Sequence, residues 1–240
     1  MTAVYILLLS LCASFIQRTI GFGFGIFIMT MLPLLMPSYG EATALSGMMA
    51  MTTSLITSVK MRRFITWKRM LPILAVFTVV STLCIFFVSR MEDHLLKRIM
   101  GAVLILTSLY FAFFSKRIKL RPTLPVQIGT GTLSGAMGGF FGMQGPPAVL
   151  YFISSEPDKE HYIAMCQCYF FIGNLLMTLA RGANGFVTAA VLTDYLYGLG
   201  GVIIGTMIGD YVFKFLSGNL LRYLVYVYIG ISGAVALFTA

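Results

Sequence analysis

The chain has 240 residues, of which 58% are hydrophobic and 10% charged, with a mean hydropathy of +0.90. That excludes an ordinary soluble domain, and the apolar residues are spread too evenly for a soluble domain with a single anchor. The formal charge of +9 gathers in short loops, which is the pattern of cytoplasmic loops in a multi-pass membrane protein and not of a nucleic-acid surface.

The first apolar segment runs from about Ala3 to Met36. Ala3–Phe15 resembles a signal-peptide core, but no basic stretch precedes it and Leu11 before Cys12 does not make a lipoprotein cleavage site, so it is read as membrane-spanning. A straight helix over the whole segment would be about 50 Å long, against a hydrocarbon core of about 30 Å. Its middle carries Gly21-Phe22-Gly23-Phe24-Gly25, where the chain can turn and return as a second short helix. Segment two, about Ala42–Val59, is rich in Met, Ser and Thr and is expected to pack against protein. A basic loop with Lys60, Arg62, Arg63, Lys68 and Arg69 follows. Segments three (about Met70–Ser89) and four (about Ile99–Ser115) flank a mixed-charge connection, Arg90–Arg98. Residues 116–125 form a basic linker that ends in helix-breaking Pro122 and Pro125.

The second half repeats the plan. Segment five, about Val126–Ser154, is again long and is broken at Phe140-Phe141-Gly142-Met143-Gln144-Gly145-Pro146-Pro147. Segments six (about Tyr162–Ala180), seven (about Thr193–Phe213) and eight (about Leu220–Phe238) complete it. Superposing the breaks places Gly21 on Gly142, and His94-Leu95-Leu96-Lys97 before segment four matches Asn219-Leu220-Leu221-Arg222 before segment eight. The expected fold is therefore an all-α polytopic membrane protein made of two four-segment repeats, residues 1–115 and 126–240. Repeats with interrupted helices at equivalent positions are a transporter signature. The broken segments can each span once or fold back as re-entrant hairpins. Folding back divides the basic residues more unevenly between the two faces, fits the positive-inside rule better, inverts the repeats and puts both termini outside.

Non-helical backbone at membrane depth is tolerated where protein buries it or where it lines a polar cavity. Glycines at the breaks let N–H groups turn towards a bound group, and Pro146 and Pro147 suit the first turn of a new helix. Each break is thus followed by a helix start carrying partial positive charge, and two such starts facing each other suit an anion. For Gly129, Gly131, Gly135, Gly138, Gly200, Gly201, Gly205 and Gly209, close helix packing is the better account.

At these breaks the chain resembles the TauE/SafE sulfite exporters, whose halves each begin with a glycine-rich motif followed by apolar residues and often a proline. Here the motifs are Gly21–Gly25 with Pro33 downstream and Gly138–Pro147. Gly205-Thr206-Met207-Ile208-Gly209-Asp210 is also similar to the family's pattern, and Gln144 departs from it where many relatives have glycine. The resemblance covers nearly the whole chain. It implies a cell-membrane transporter of small organosulfur or oxyanion species such as sulfite, sulfonates (for example sulfoacetate) and thiosulfate.

The residues expected to hold the anion are Arg18, Gly21, Phe22, Gly23, Phe24 and Gly25 at the first break, Gly142, Met143, Gln144, Gly145 and Pro146 at the second, and Asn174 in segment six. Arg18 can face the cavity as a two-pronged cation or anchor at the interface. Gln17 and Gln167 are further neutral donors, and Asn174 can equally bond between helices. Asp194 and Asp210 are read as solvated and Arg181 as interfacial. Cys166 and Cys168 can pack within their helix or face a pathway, and a disulfide framework is not expected. No nucleophile–base or metal-ligand set is legible at membrane depth, so neither an enzyme nor a cofactor or metal is expected. A coupling proton or ion is compatible with a carrier, and an anion-selective channel is the alternative to one.

Overall fold

A computed structural model describes residues 2–113, 120–156 and 158–212, together with residues 230, 231, 234 and 237. The described chain is all helical. Segment one becomes α1 (Thr2–Ile20), α2 (Phe24–Ile28) and α3 (Leu32–Leu35). Segments two to four become α4 (Tyr39–Lys60), α5 (Trp67–Val88) and α6 (Asp93–Phe113). Segment five becomes α7 (Leu124–Phe141) and α8 (Gly145–Ser155), and α9 (Lys159–Ala183) and α10 (Ala189–Val212) follow. Segment eight and the charged start of the central linker lie for the most part outside the described residues.

Five of these helices are long and apolar enough to cross a membrane: α1, α4, α5, α9 (from Glu160) and α10. Their outward faces carry large apolar side chains such as Val79, Leu83, Leu196, Met207 and Tyr211, all more than half exposed. In water such a surface would aggregate, and in a bilayer it is the lipid contact. The chain is a multi-pass membrane protein.

Helix starts are set by local signals. Ser38 caps α4 by accepting the Glu41 N–H at 3.1 Å, and Asp158 caps α9 by accepting the His161 N–H at 2.9 Å, each satisfying one of the free donors of a first turn. Thr123 precedes α7, whose second residue is Pro125.

Two parallel helix pairs form the outer walls. In the first, α10 lies along α1. A methyl group on Gly201 would strike the Leu7 carbonyl and Ser10 Oγ, and one on Gly205 would strike the Leu11 carbonyl and Ser14 Oγ. In the second, α7 lies along α5, and methyl groups on Gly131, Gly135 and Gly139 would come within 3.0 Å of the Ile73, Phe77 and Ser81 carbonyls. Small residues let the backbones approach this closely. Gly129 and Gly200 do not share this role, since among the described residues a methyl there meets nothing within 4 Å. Both fall off the face that their neighbours four residues apart define.

Between the walls, α4 and α9 run antiparallel: Phe186 covers Gly40, and Thr178 lies near Gly47. The broken segments turn back on themselves. Gln127 near the start of α7 donates to the Tyr151 hydroxyl near the end of α8 at 3.0 Å, and Arg69 at the start of α5 donates to the Ser155 carbonyl at 2.9 Å. With 11 residues, α8 rises about 16 Å, half of what a crossing needs. On the other side α1 and α4 run parallel, with Ile6 and Met49 both against Gly198 and with Gln17 bonded to Ser54. Residues 21–38 therefore carry the chain back to the end where α1 began.

Candidate functional site

Each break is a change of backbone hand. Gly21 and Gly23 have φ of +94° and +107°, and Gly142 has φ of +69°, a region that side chains other than glycine's rarely occupy. At the first break α1 stops at Ile20 and α2 starts at Phe24 with Gly23 before it. At the second, Gly142 ends α7, the Met143 N–H reaches back to the Met137 carbonyl at 3.1 Å, and α8 begins with Pro146 and Pro147 in its first turn.

The two breaks touch. A methyl group on Gly25 would collide with the carbonyl oxygen of Gly142, so glycine is needed at this crossing. Beside the contact lies a cavity of about 30 Å³, room for about two water-sized occupants. The first break lines it with Gly23, Phe24, Gly25 and Ile26, the second with Gly142, Met143, Gln144 and Gly145. Gln17 of α1, Ala50 of α4, and Phe170 and Asn174 of α9 close the remaining walls.

Carbonyls freed by the breaks are satisfied by side chains, as burial requires. Gln167 Nε2 donates to the Gly21 carbonyl at 2.8 Å, and Gln17 Nε2 donates to Ser54 Oγ at 2.9 Å and Gln167 Oε1 at 3.2 Å. At the second break the Ser134 hydroxyl donates to the Gln144 carbonyl and itself accepts from Tyr169 at 2.9 Å. Gln144 Nε2 donates to the Phe170 carbonyl at 3.3 Å, while its buried Oε1 has no partner among the described residues.

Of the residues singled out in the sequence, Gly23, Phe24, Gly25, Gly142, Met143, Gln144, Gly145 and Asn174 are brought together on the cavity wall. Gly21, Phe22 and Pro146 stand behind it. Phe22 packs close to Gly145, and Gly21 lies near the Tyr162 hydroxyl. Arg18 is elsewhere: its Nε donates to Asp210, which also accepts Lys60 Nζ at 3.1 Å, at the far ends of α1, α10 and α4. Asp210 is thus ion-paired and not simply solvated. Cys166 and Cys168 are buried in α9 and lie off the cavity wall.

Arg181 corrects its expected place. It is not interfacial but 1% exposed, and its Nη2 donates to the Gly138 and Gly139 carbonyls at 2.9 and 3.3 Å. It follows a long apolar run, where an arginine reads as an anchor. The available signal was the absence of any acidic residue between Glu160 and Asp194. Ala50 and Phe170 gave no signal, since apolar residues on apolar helices all look alike.

Broken helices apposed inside a bundle of lipid-facing helices define a class, the multi-pass membrane transport protein. Comparison with known families narrows it. The family Sulfite exporter TauE/SafE matches residues 6–236, and the chain belongs to that family. Its members are membrane exporters of sulfite and related anions, not enzymes. Neither the curated proteins nor the solved structures yielded a match.

Proposed function

We propose that this chain is a secondary transporter of small sulfur oxyanions and sulfonates, such as sulfite, thiosulfate and sulfoacetate, and that it holds them between its two glycine breaks. The contact of Gly25 with the Gly142 carbonyl, with the cavity beside it, carries this reading. An anion there would meet the N–H groups of Gln144 and Gly145, which precede the two prolines of α8, and the side-chain amide of Asn174. The substrate-facing residues are those on the cavity wall, with Gly21, Phe22 and Pro146 supporting them from behind.

Two four-segment repeats of inverted sense would account for this packing. The α1–α10 wall answers the α7–α5 wall, and both broken segments fold back, from opposite ends. In this reading the hairpins are re-entrant and the basic α4–α5 junction is cytoplasmic. Room for about two waters does not admit a sulfonate, so loading requires the hairpins to part, as alternating access provides. The burial of Phe24, Met143 and Gln144 favours such a carrier over an open channel.

Flux of radiolabelled sulfite into proteoliposomes tests the reading. Saturable flux that is lost in Gly25→Val, with the protein still in the membrane, is the expected result. Unsaturable anion currents would turn the assignment to a channel, and unchanged flux in Gly25→Val would remove the substrate from the breaks.

A further inference from the structure

The structure assigns a second position to the anion, beside Gly47, with Arg181 as its charge; this rests on the transporter reading above. Arg181 uses only one edge of its guanidinium. Nη2 holds the last carbonyls of α7, whereas Nη1 is buried and has no hydrogen-bond partner among the described residues. Among the described residues no carboxylate pairs with it. Thr178 Oγ1, one turn earlier on α9, is likewise buried and unpartnered.

Both groups converge on one spot. A methyl group on Gly47 would lie 3.4 Å from Arg181 Nη1, 3.6 Å from Thr178 Oγ1 and 4.0 Å from Asn174 Oδ1. A space the size of one methyl therefore lies between a cation, a hydroxyl and an amide. Asn174 also faces the cavity at the breaks, as does Ala50, the next turn of α4. The two spaces share a wall, and Arg181 stands at the end away from the basic α4–α5 junction.

Capping α7 explains half of Arg181. The helix C-terminus carries partial negative charge and favours a cation. A neutral amide could make the same two bonds, however, and a buried charged donor left without a partner is costly. An oxyanion head satisfies Nη1 and Thr178 together and neutralises the charge. The sulfo or sulfite group is thus handed from the breaks to Arg181 during transport.

The test uses the purified full chain in nanodiscs, with sulfite, dianionic thiosulfate and monoanionic methanesulfonate titrated calorimetrically. Gly47→Ala fills the space without touching the bonds of Arg181, and alanine is the better helix former. It should weaken sulfite and thiosulfate binding about tenfold or more without lowering the melting temperature. Arg181→Gln should do the same and erase the preference for thiosulfate over methanesulfonate, and Arg181→Lys should restore part of that preference. Wild-type affinity and charge preference in both Gly47→Ala and Arg181→Gln would overturn the second position and leave the site at the breaks standing. Absence of saturable binding to the wild type would overturn the site at the breaks, and this inference with it. If Arg181→Gln does not fold, Gly47→Ala decides alone: wild-type affinity refutes the second position.

Discussion

The α1–α10 and α7–α5 walls are built alike and charged differently. In each, two parallel helices close on a line of small residues, and one of them ends in a left-handed glycine where the chain doubles back. At the end of the first wall Arg18 and Lys60 share Asp210, with side chains 18%, 58% and 30% exposed. Near the end of the second, Arg181 is wholly buried and leans on backbone carbonyls. The register that places Gly21 on Gly142 also places Lys60 on Arg181. What the walls share is what the scaffold needs. Where they differ, one cation has been neutralised at the surface and the other kept available inside.

The shared part is expected to show the largest effects. Gly205→Leu and Gly139→Leu should each prevent accumulation of folded protein, followed by size-exclusion profile and protease resistance in detergent. Ordinary overpacking costs roughly 1–3 kcal/mol, occasionally more. Here the obstacles include the Leu11 and Ser81 carbonyls, which cannot rotate away as a side chain can. Gly129→Leu and Gly200→Leu, on open faces, should both be tolerated. If either buried glycine accepts leucine without loss, the close approach of that wall is wrong.

The next largest effect should separate the two arginines. Arg181→Leu should abolish sulfite flux and lower stability by about 1.5–3 kcal/mol, the range for hydrogen bonds to charged groups. Flux in proteoliposomes and thermal melting of the same preparation read the two parts. Retained flux with lowered stability would reduce Arg181 to a helix cap and make the walls functionally equivalent.

A smaller loss is expected at the first break. Gln167→Leu leaves the Gly21 carbonyl without its side-chain donor and Gln17 with Ser54 alone, a desolvation cost of about 1–3 kcal/mol. The melting temperature should fall, and with Gln167→Glu, which sets a buried carboxylate oxygen against the Gly21 carbonyl, it should fall at least as far. Equal melting of wild type and Gln167→Leu would mean that the first break does not depend on this bond.

Much of this was legible in the sequence. The helices lie within a few residues of the apolar segments, and the breaks fall at the glycines, because segment length and backbone freedom are local properties. Partners distant in sequence were not legible. Arg18 reads as a cation beside the first break and Asp210 as a charge near a segment end, and nothing local joins them. Arg181 reads as an anchor because its stem is amphipathic, and the carbonyls it holds come from another helix. The small-residue stripe on α7 is legible, but composition marks Gly129 along with it, because composition does not say which face a small residue occupies.

The smallest effect should come from the Arg18 cluster. A partly exposed ion pair contributes about 0–1 kcal/mol, because water already solvates both charges and ordering long side chains costs entropy. Lys60, the most exposed of the three, can remain on Asp210 when Arg18 is removed. Arg18→Ala should therefore leave the KM for sulfite within about threefold of wild type and shift melting little, with high salt shifting both proteins alike. Flux abolished in Arg18→Ala at normal membrane levels would place a substrate cation at the first wall as well. The two walls would then carry charge to the anion from both ends, and the asymmetry drawn from Arg181 would fall.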